Sequence, residues 1–462
     1  MKKDKAFYYF LVAVIPVFLL TSWCVLPAVA DSGREEALRE YRLGLRLSGE
    51  QEYDKAVEAF TRALEMSPDF PQSLNNRGLS YMKLSHLDEA ETDLMRAVEI
   101  DPGYYQAWIN LAQVRYKQGR HVMALENAEQ ASRLSPGLGM PFVIKGLVFM
   151  DTQQPHKALD AFDRVVELDS GYSRAYYYRG LTYLELGRLE PAGRELEQAL
   201  TMDPEVPDFM LGKARLLLAE GRLRDALPYL DRAIEGLPRS VDALGFRASV
   251  HLETGDFFLA LDDLERALDL EPENPLLYSL RGDARAHLGD PAGAISDYDR
   301  SLELDPRQFD VHNNRGIAYF RLDKFSKAKE DYSRSIELDP ENAQAYLNRS
   351  TINYYQGQTG KALADLDRFI SLRPDSATAY YKRGSVHLEM ENYEQAIDDF
   401  EHALAFDPFN PSISSNLGLA LVMSGRIEDG CRIMNLACAE GVCSNLDWAR
   451  EEGICPGRRR AE

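Results

Sequence analysis

Residues 309–342 read FDVHNNRGIAYFRLDKFSKAKEDYSRSIELDPEN, and the residue types in this stretch return every 34 residues along most of the chain. Starting at Ala37, twelve consecutive units of 34 residues reach Ser444 without an insertion or a deletion. We number these units as repeats 1 to 12 and their residues as positions 1 to 34, so that Phe309 is position 1 of repeat 9. A period of this length indicates a stack of supersecondary units and no single large core.

Four positions of the repeat predict two helices and a turn in each unit. Position 8 is always Gly, Ala or Ser, and position 20 is Ala in every repeat except the twelfth, where it is Gly430. Large side chains do not fit where two helix backbones approach closely. Gly stands at position 15 in seven repeats, which favours the end of a helix there. Pro stands at position 32 in ten repeats, which favours the start of a new helix after it. Each repeat therefore predicts a helix A, a turn and a helix B.

These residues, together with aromatic residues at position 4 and apolar residues at position 24, resemble the tetratricopeptide repeat (TPR). The sequence looks like an exported bacterial protein of that family. The resemblance implies an all-α fold, a right-handed TPR solenoid of twelve helical hairpins, with helix A lining a concave groove for peptides or partner domains. We also expect a C-terminal capping helix, because the last repeat has no successor to cover its apolar face.

The N-terminus has the pattern of an export signal. Three lysines within the first five residues precede an apolar run, 6–20, and small residues at Ala28 and Ala30. We expect residues 1–30 to be a signal peptide cleaved after Ala30, and the protein to be periplasmic or otherwise extracytoplasmic. The alternative is an uncleaved anchor in the inner membrane formed by residues 6–30. The remaining predicted parts are a short linker 31–36, the repeats 37–444, and a disulfide-stapled capping helix with its tail, 445–462.

The charge of the chain excludes one class of partner. The formal net charge is −21, and the repeats contain no Lys/Arg cluster of the kind that neutralises phosphates. We expect no nucleic acid to bind, and contact with a membrane only through an uncleaved N-terminal segment.

Arginine stands at position 7 of seven repeats, and the same seven repeats, alone among the twelve, have an acid at position 23. The two positions lie eight residues on either side of the turn, hence level with each other across the hairpin. Burying one of the charges alone would be costly, so we interpret the arginines as halves of structural ion pairs and not as a ladder for an acidic ligand. The predicted pairs are Arg77–Asp93, Arg179–Glu195, Arg247–Asp263, Arg281–Asp297, Arg315–Asp331, Arg349–Asp365 and Arg383–Asp399.

Asparagine recurs at position 6, which projects into the groove in the TPR family. The candidate groove residues are Asn76, Asn110, Asn314, Asn348 and Asn416. A side-chain amide offers an acceptor and two donors, so a row of asparagines could bind the backbone of an extended peptide. The pattern partially resembles the asparagine ladder in the TPR region of O-linked N-acetylglucosamine transferases.

Between repeats 4 and 8 the asparagine row lapses and aromatic residues take its place. Tyr177, Tyr178 and Phe246 are the candidates for an aromatic anchor in the groove, because aromatic rings supply much of the energy of protein interfaces. The alternative interpretation is that such residues pack between neighbouring A helices.

Four cysteines follow residue 430, and an exported protein would meet an oxidising compartment. No C-x-x-C spacing favours zinc or redox chemistry. Cys431 and Cys438 lie about 10 Å apart along one helix, too far for a bond. Gly441 could reverse the chain and join Cys438 to Cys443, and a helix running back would then bring Cys455 to Cys431.

No catalytic motif, phosphate loop or metal-ligand cluster stands out, so the sequence predicts no enzyme and no cofactor. The predicted function is a protein-protein interaction scaffold or adaptor of the cell envelope that binds extended peptides or partner proteins. The alternative is a subunit that presents substrates to a separate enzyme complex for peptide modification, secretion or assembly.

Overall fold

A computed structural model describes residues 31–456 of the protein. The chain divides into two compact units, Met1–Ala243 and Leu244–Glu462. The predicted signal peptide or anchor, 1–30, lies outside the described residues, as does the tail 457–462. Throughout the described range the regular elements are α-helices, with no strand among them.

From residue 31 onward, the first unit forms six helical hairpins, one for each of repeats 1 to 6. Its helices are α1 (Asp31–Gly49), α2 (Tyr53–Met66), α3 (Pro71–Lys83), α4 (Leu87–Ile100), α5 (Tyr105–Lys117), α6 (His121–Leu134), α7 (Met140–Asp151), α8 (Pro155–Leu168), α9 (Ser173–Glu185), α10 (Leu189–Met202), α11 (Pro207–Ala219) and α12 (Leu223–Gly236). The next helix, α13 (Val241–Thr254), begins in this unit and continues into the second.

The second unit holds the remaining hairpins and one final helix. Its helices after α13 are α14 (Phe257–Leu270), α15 (Pro275–His287), α16 (Pro291–Leu304), α17 (Phe309–Arg321), α18 (Phe325–Leu338), α19 (Ala343–Tyr355), α20 (Thr359–Leu372), α21 (Ala377–Glu389), α22 (Tyr393–Phe406), α23 (Pro411–Met423), α24 (Ile427–Ala439) and α25 (Ser444–Glu451). The predicted all-α architecture of helical hairpins with a C-terminal capping helix is confirmed.

One predicted boundary is wrong. Residues 31–36, expected to be a linker, form the first part of α1. Arg34, Glu35 and Glu36 are good helix formers, and acidic residues near a helix N-terminus interact favourably with its dipole. Nothing in this stretch terminates a helix, so the first A helix extends beyond the repeat register.

The small residue at position 8 makes room for the side chain at position 24. A Cβ atom on Gly316 would lie 2.6 Å from the Tyr332 ring, and one on Gly146 would lie 2.4 Å from the Phe162 ring. Both rings are fully buried, at 2% and 0% exposure. Position 8 is therefore glycine in every repeat whose position 24 is aromatic, because a larger residue would displace the ring from the core.

The turn between helix A and helix B has the same backbone in every repeat. Position 15 has a positive φ in all twelve, whether it is glycine or not: Gly357 has φ 69° and Glu391 has φ 60°. The turn thus needs the left-handed conformation, which costs a non-glycine residue about 1–2 kcal/mol.

Candidate functional site

The seven position-7 arginines all lie beside the acids predicted for them. In the pair Arg315–Asp331, Nε and Nη2 donate to the two carboxylate oxygens at 2.8 and 2.6 Å. The same bidentate contact occurs in Arg77–Asp93, Arg247–Asp263, Arg281–Asp297, Arg349–Asp365 and Arg383–Asp399. Arg179 contacts Glu195 through Nε and Nη2 at 2.8 and 2.6 Å. These guanidinium groups are engaged within the fold.

Several of these arginines also contact the preceding repeat, an interaction that the repeat pattern did not predict. Arg179 donates through Nη1 to Asp163 at 2.8 Å, and Arg315 donates through Nη1 to Asp299 at 2.6 Å. Burial would lower the pKa of Arg179, but its hydrogen bonds to Asp163 and Glu195 raise it overall. The signal was a polar residue at position 25, sixteen residues before the arginine. Each such arginine ties its own hairpin to the one before it.

The five asparagines predicted for the groove share one kind of contact. Each donates from Nδ2 to helix A of the preceding repeat, so the row links neighbouring A helices. The acceptors are the Tyr41 hydroxyl for Asn76 at 3.0 Å, Asn75 Oδ1 for Asn110 at 2.7 Å, Asp283 Oδ1 for Asn314 at 3.0 Å, Asn313 Oδ1 for Asn348 at 3.0 Å, and the Tyr381 hydroxyl for Asn416 at 3.2 Å. Four of these contacts span 35 residues, a position-6 to position-5 spacing that the sequence could have revealed.

In repeats 8 to 10 these contacts join into one continuous chain, which we call the amide track. Gln344 Nε2 donates to Asn348 Oδ1 at 2.9 Å, and Asn348 Nδ2 donates to Asn313 Oδ1 at 3.0 Å. Asn313 Nδ2 donates to Asn314 Oδ1 at 3.3 Å, and Asn314 Nδ2 donates to Asp283 Oδ1 at 3.0 Å. The amide track thus crosses α19, α17 and α15, all of them A helices of the second unit.

Asp283 ends the amide track as a partly buried carboxylate. It also accepts a hydrogen bond from the Tyr298 hydroxyl of helix α16 at 2.6 Å. Burial raises the pKa of Asp283, although the hydrogen bonds from Tyr298 and Asn314 oppose the rise. Asp310 on α17 raises it further, and His287 on α15 lowers it. Asp283 was not among the residues singled out from the sequence.

Two of the three aromatic groove candidates lie in the core, so their predicted role as an exposed anchor is wrong. Tyr177 and Tyr178 are only 6% and 3% exposed. The Tyr178 ring stacks on Phe162, with centroids 5.4 Å apart. The Tyr177 ring lies over Gly212 of the next A helix, where a Cβ atom would be 2.8 Å from it. The glycine admits the ring between two A helices. Phe246 is half-buried on α13, and its role stays a prediction.

Family models for the tetratricopeptide repeat match most of the chain between residues 41 and 416. One matches 41–105, 75–138, 145–207 and 247–309, and three others match 183–250, 309–342 and 354–416. The chain belongs to the tetratricopeptide repeat family. TPR proteins act as protein-interaction scaffolds, which agrees with the coarse functional prediction.

Solved structures similar to this TPR chain are distant in sequence. The Cut9–Hcn1 hetero-tetramer of APC/C is 14% identical over 92% of this chain and 90% of the other, with a TM-score of 0.46. A TPR protein of Parabacteroides merdae is 19% identical over 54% and 98%, with a TM-score of 0.42. Pseudomonas aeruginosa pilF is 22% identical over 48% and 98%, also with a TM-score of 0.42. No curated protein matches the sequence. Likenesses this remote say nothing about what the chain binds.

The last TPR is covered by a cap that two disulfides hold. The structure joins Cys431 to Cys455 and Cys438 to Cys443, with Cα separations of 5.7 and 4.2 Å. Leu446 of α25 is 1% exposed and packs with Met434 of the last hairpin. These bonds are the pairing that we expected from the position of Gly441.

Between residues 31 and 456, no helix is both long and apolar enough to cross a membrane. Over the same range, no group of three or more His, Cys, Asp or Glu side chains is arranged to hold a metal ion.

Proposed function

We propose that this chain is a non-catalytic scaffold of the cell envelope that binds an extended segment of a partner protein along the amide track of repeats 8 to 10. Membership of the TPR family supports a role in protein binding. The amide track supports the choice of surface, since it gathers polar side chains of three successive A helices into one connected row.

The amide track suits a peptide backbone because its amides have hydrogen-bond donors that the track itself does not use. Each amide nitrogen carries two hydrogens, and the track uses one of them. In this proposal the second hydrogen of Asn314 or Asn348, whose side chains are both half-buried, donates to a peptide carbonyl oxygen. A ligand held in this way is recognised through its main chain, so its side chains need not have one fixed sequence.

This mode of recognition also favours the alternative function, a subunit that presents substrates to a separate enzyme. Such a subunit has to accept many sequences, whereas an adaptor has one partner. A peptide array probed with residues 31–462 separates the two: binding to many extended peptides favours presentation, and binding to one related set favours an adaptor. No binding to any peptide would contradict the proposed surface.

The variant that tests the amide track is Asn314→Ala combined with Asn348→Ala. Each lost hydrogen bond should weaken peptide binding by about 1 kcal/mol. Asn392→Ala is the matched control, since Asn392 lies in a turn between helices and forms no side-chain cap there. Urea unfolding of both variants shows how much of any loss comes from the broken contacts between A helices.

The location in the cell envelope is supported by the sequence of residues 1–30 and by the two disulfides, because such bonds persist in oxidising compartments. Mass spectrometry of the exported protein should find Asp31 at the N-terminus. An intact Met1 in the membrane fraction would instead support the anchor formed by residues 6–30.

A further inference from the structure

The hydrogen bonds of the amide track all run in one direction. Along the row from Gln344 to Asp283, each amide nitrogen donates to the next residue. Each asparagine oxygen accepts from the residue before it. An amide can occupy the same space with these two atoms exchanged, so the common direction needs a cause.

The cause is the carboxylate at the end of the row. Ionised Asp283 only accepts hydrogen bonds, so Asn314 must turn its nitrogen towards it. The Asn314 oxygen then faces Asn313, which must in turn donate its own nitrogen. The same requirement passes to Asn348 and to Gln344. One charged group thereby fixes the orientation of amides on three helices.

We infer that Asp283 is a positioning residue that makes the A-helix face of repeats 8 to 10 directional, so that an extended peptide binds with its N-to-C direction fixed. The inference rests on the proposed function. The edge of an extended peptide presents N–H and C=O groups in an order that depends on its direction. A row of amides with one fixed order therefore pairs well with one peptide direction and poorly with the other.

Photo-crosslinking measures this direction. The probe is a decapeptide of alternating alanine and threonine with a benzoylphenylalanine at its N-terminus, and a second probe has it at the C-terminus. On the wild-type chain one probe should label α15 (Pro275–His287) and the other α19 (Ala343–Tyr355), as read by peptide mass spectrometry.

Asp283→Asn keeps the shape of the side chain but allows the whole row to reverse. Both probes should then label both helices, while the affinity for the unlabelled decapeptide changes by less than about fivefold, since no donor or acceptor of the row is removed. Asp310→Asn is the matched control, because Asp310 is an exposed carboxylate on α17 outside the track. In this variant each probe should label the same helix as in the wild type.

A merely structural role for Asp283 predicts a different result. If Asp283 only stabilised the fold, Asp283→Asn would weaken the hydrogen bonds from Tyr298 and Asn314 and unfold at a lower urea concentration, while each probe would still label a single helix. Mixed labelling of the wild type, or single-direction labelling of Asp283→Asn, overturns the inference. No labelling of either helix in the wild type overturns the proposed function itself.

Discussion

Arg383 donates through Nη1 to Asp367 of the preceding repeat at 2.7 Å. Its Nε and Nη2 donate to Asp399 of its own repeat at 3.0 and 2.7 Å. The two carboxylates differ in environment, since the Asp399 side chain is 5% exposed and that of Asp367 is 61% exposed. One guanidinium thus makes a buried pair within a hairpin and an exposed pair between hairpins, and these should differ in their contribution to stability.

Replacing each aspartate separates the two contributions. Asp399→Ala leaves the half-buried guanidinium without its buried partner and should cost about 3 kcal/mol. Asp367→Ala removes an exposed ion pair and should cost less than about 1 kcal/mol. Because repeat arrays can unfold in parts, hydrogen exchange of α21 and α22 should accompany the urea titration. Equal losses of stability in the two variants would contradict the expectation that the buried pair contributes more than the exposed one.

The sequence was sufficient to predict the hairpins and the seven buried ion pairs, because each depends on residues that recur at fixed positions. Contacts between repeats were harder to predict, since their chemistry varies from repeat to repeat. The position-25 partner is Asp163 for Arg179 but Thr61 for Arg77 and Ser333 for Arg349. No single residue type therefore marks that contact in an alignment of the repeats.

The amide track and the misplaced tyrosines have a similar explanation. Tyr177 at position 5 is buried because Gly212 of the next A helix leaves room for its ring, and Tyr178 at position 6 is buried against Phe162 of the preceding repeat. Asp283 lies at position 9, where most other repeats have apolar or uncharged residues, so the repeat pattern gave no reason to connect it with Asn314. Both outcomes depend on pairs of residues in different repeats.

The turn at position 15 allows stability to be raised or lowered by a known mechanism. Glu391→Gly removes a left-handed non-glycine residue and should stabilise repeat 11 by about 1 kcal/mol. Gly357→Ala should have the opposite effect, because alanine would have to adopt a φ of 69°. No atom lies within 4 Å of the added Cβ, so a steric clash does not contribute. Urea midpoints measure both changes. If both variants shift the midpoint in the same direction, the backbone explanation is wrong.

The two cap disulfides should contribute unequally. Cys431–Cys455 spans 24 residues and Cys438–Cys443 spans 5, so the first restricts the unfolded chain more. Replacing Cys431 and Cys455 by Ala should cost about 3 kcal/mol, against about 2 kcal/mol for the shorter loop.

Hydrogen exchange of α25 is the measurement for both double variants. Loss of Cys431–Cys455 should raise exchange throughout α25, because this bond ties the chain beyond the helix to α24. Loss of the short loop should leave the far end of α25 protected. Faster exchange throughout α25 in the second variant alone would reverse the assignment of roles.

Glu91 provides a pH-dependent link between repeats 2 and 3. It accepts hydrogen bonds from Arg115 Nε at 3.0 Å and Arg120 Nη1 at 2.6 Å. Burial raises the pKa of Glu91, but hydrogen bonds from Arg115 and Gln118 and the charge of Arg120 lower it overall. A carboxyl whose pKa is lower in the folded state stabilises the fold above its unfolded pKa of about 4.3, and this stability is lost as the pH falls through the folded pKa.

Glu91→Gln should therefore be less stable than the wild type at neutral pH. The gap between the free energies of unfolding of the two proteins should narrow once the pH drops below about 4.3. Urea midpoints of both proteins from neutral pH to about pH 3 measure the gap. Glu99→Gln is the matched control on the same helix, because the Glu99 side chain is 59% exposed and its ion pair with Arg96 is a surface one, so its gap should stay small at every pH. A gap for Glu91→Gln that remains constant down to the lowest pH would show that the carboxylate charge does not link these two repeats.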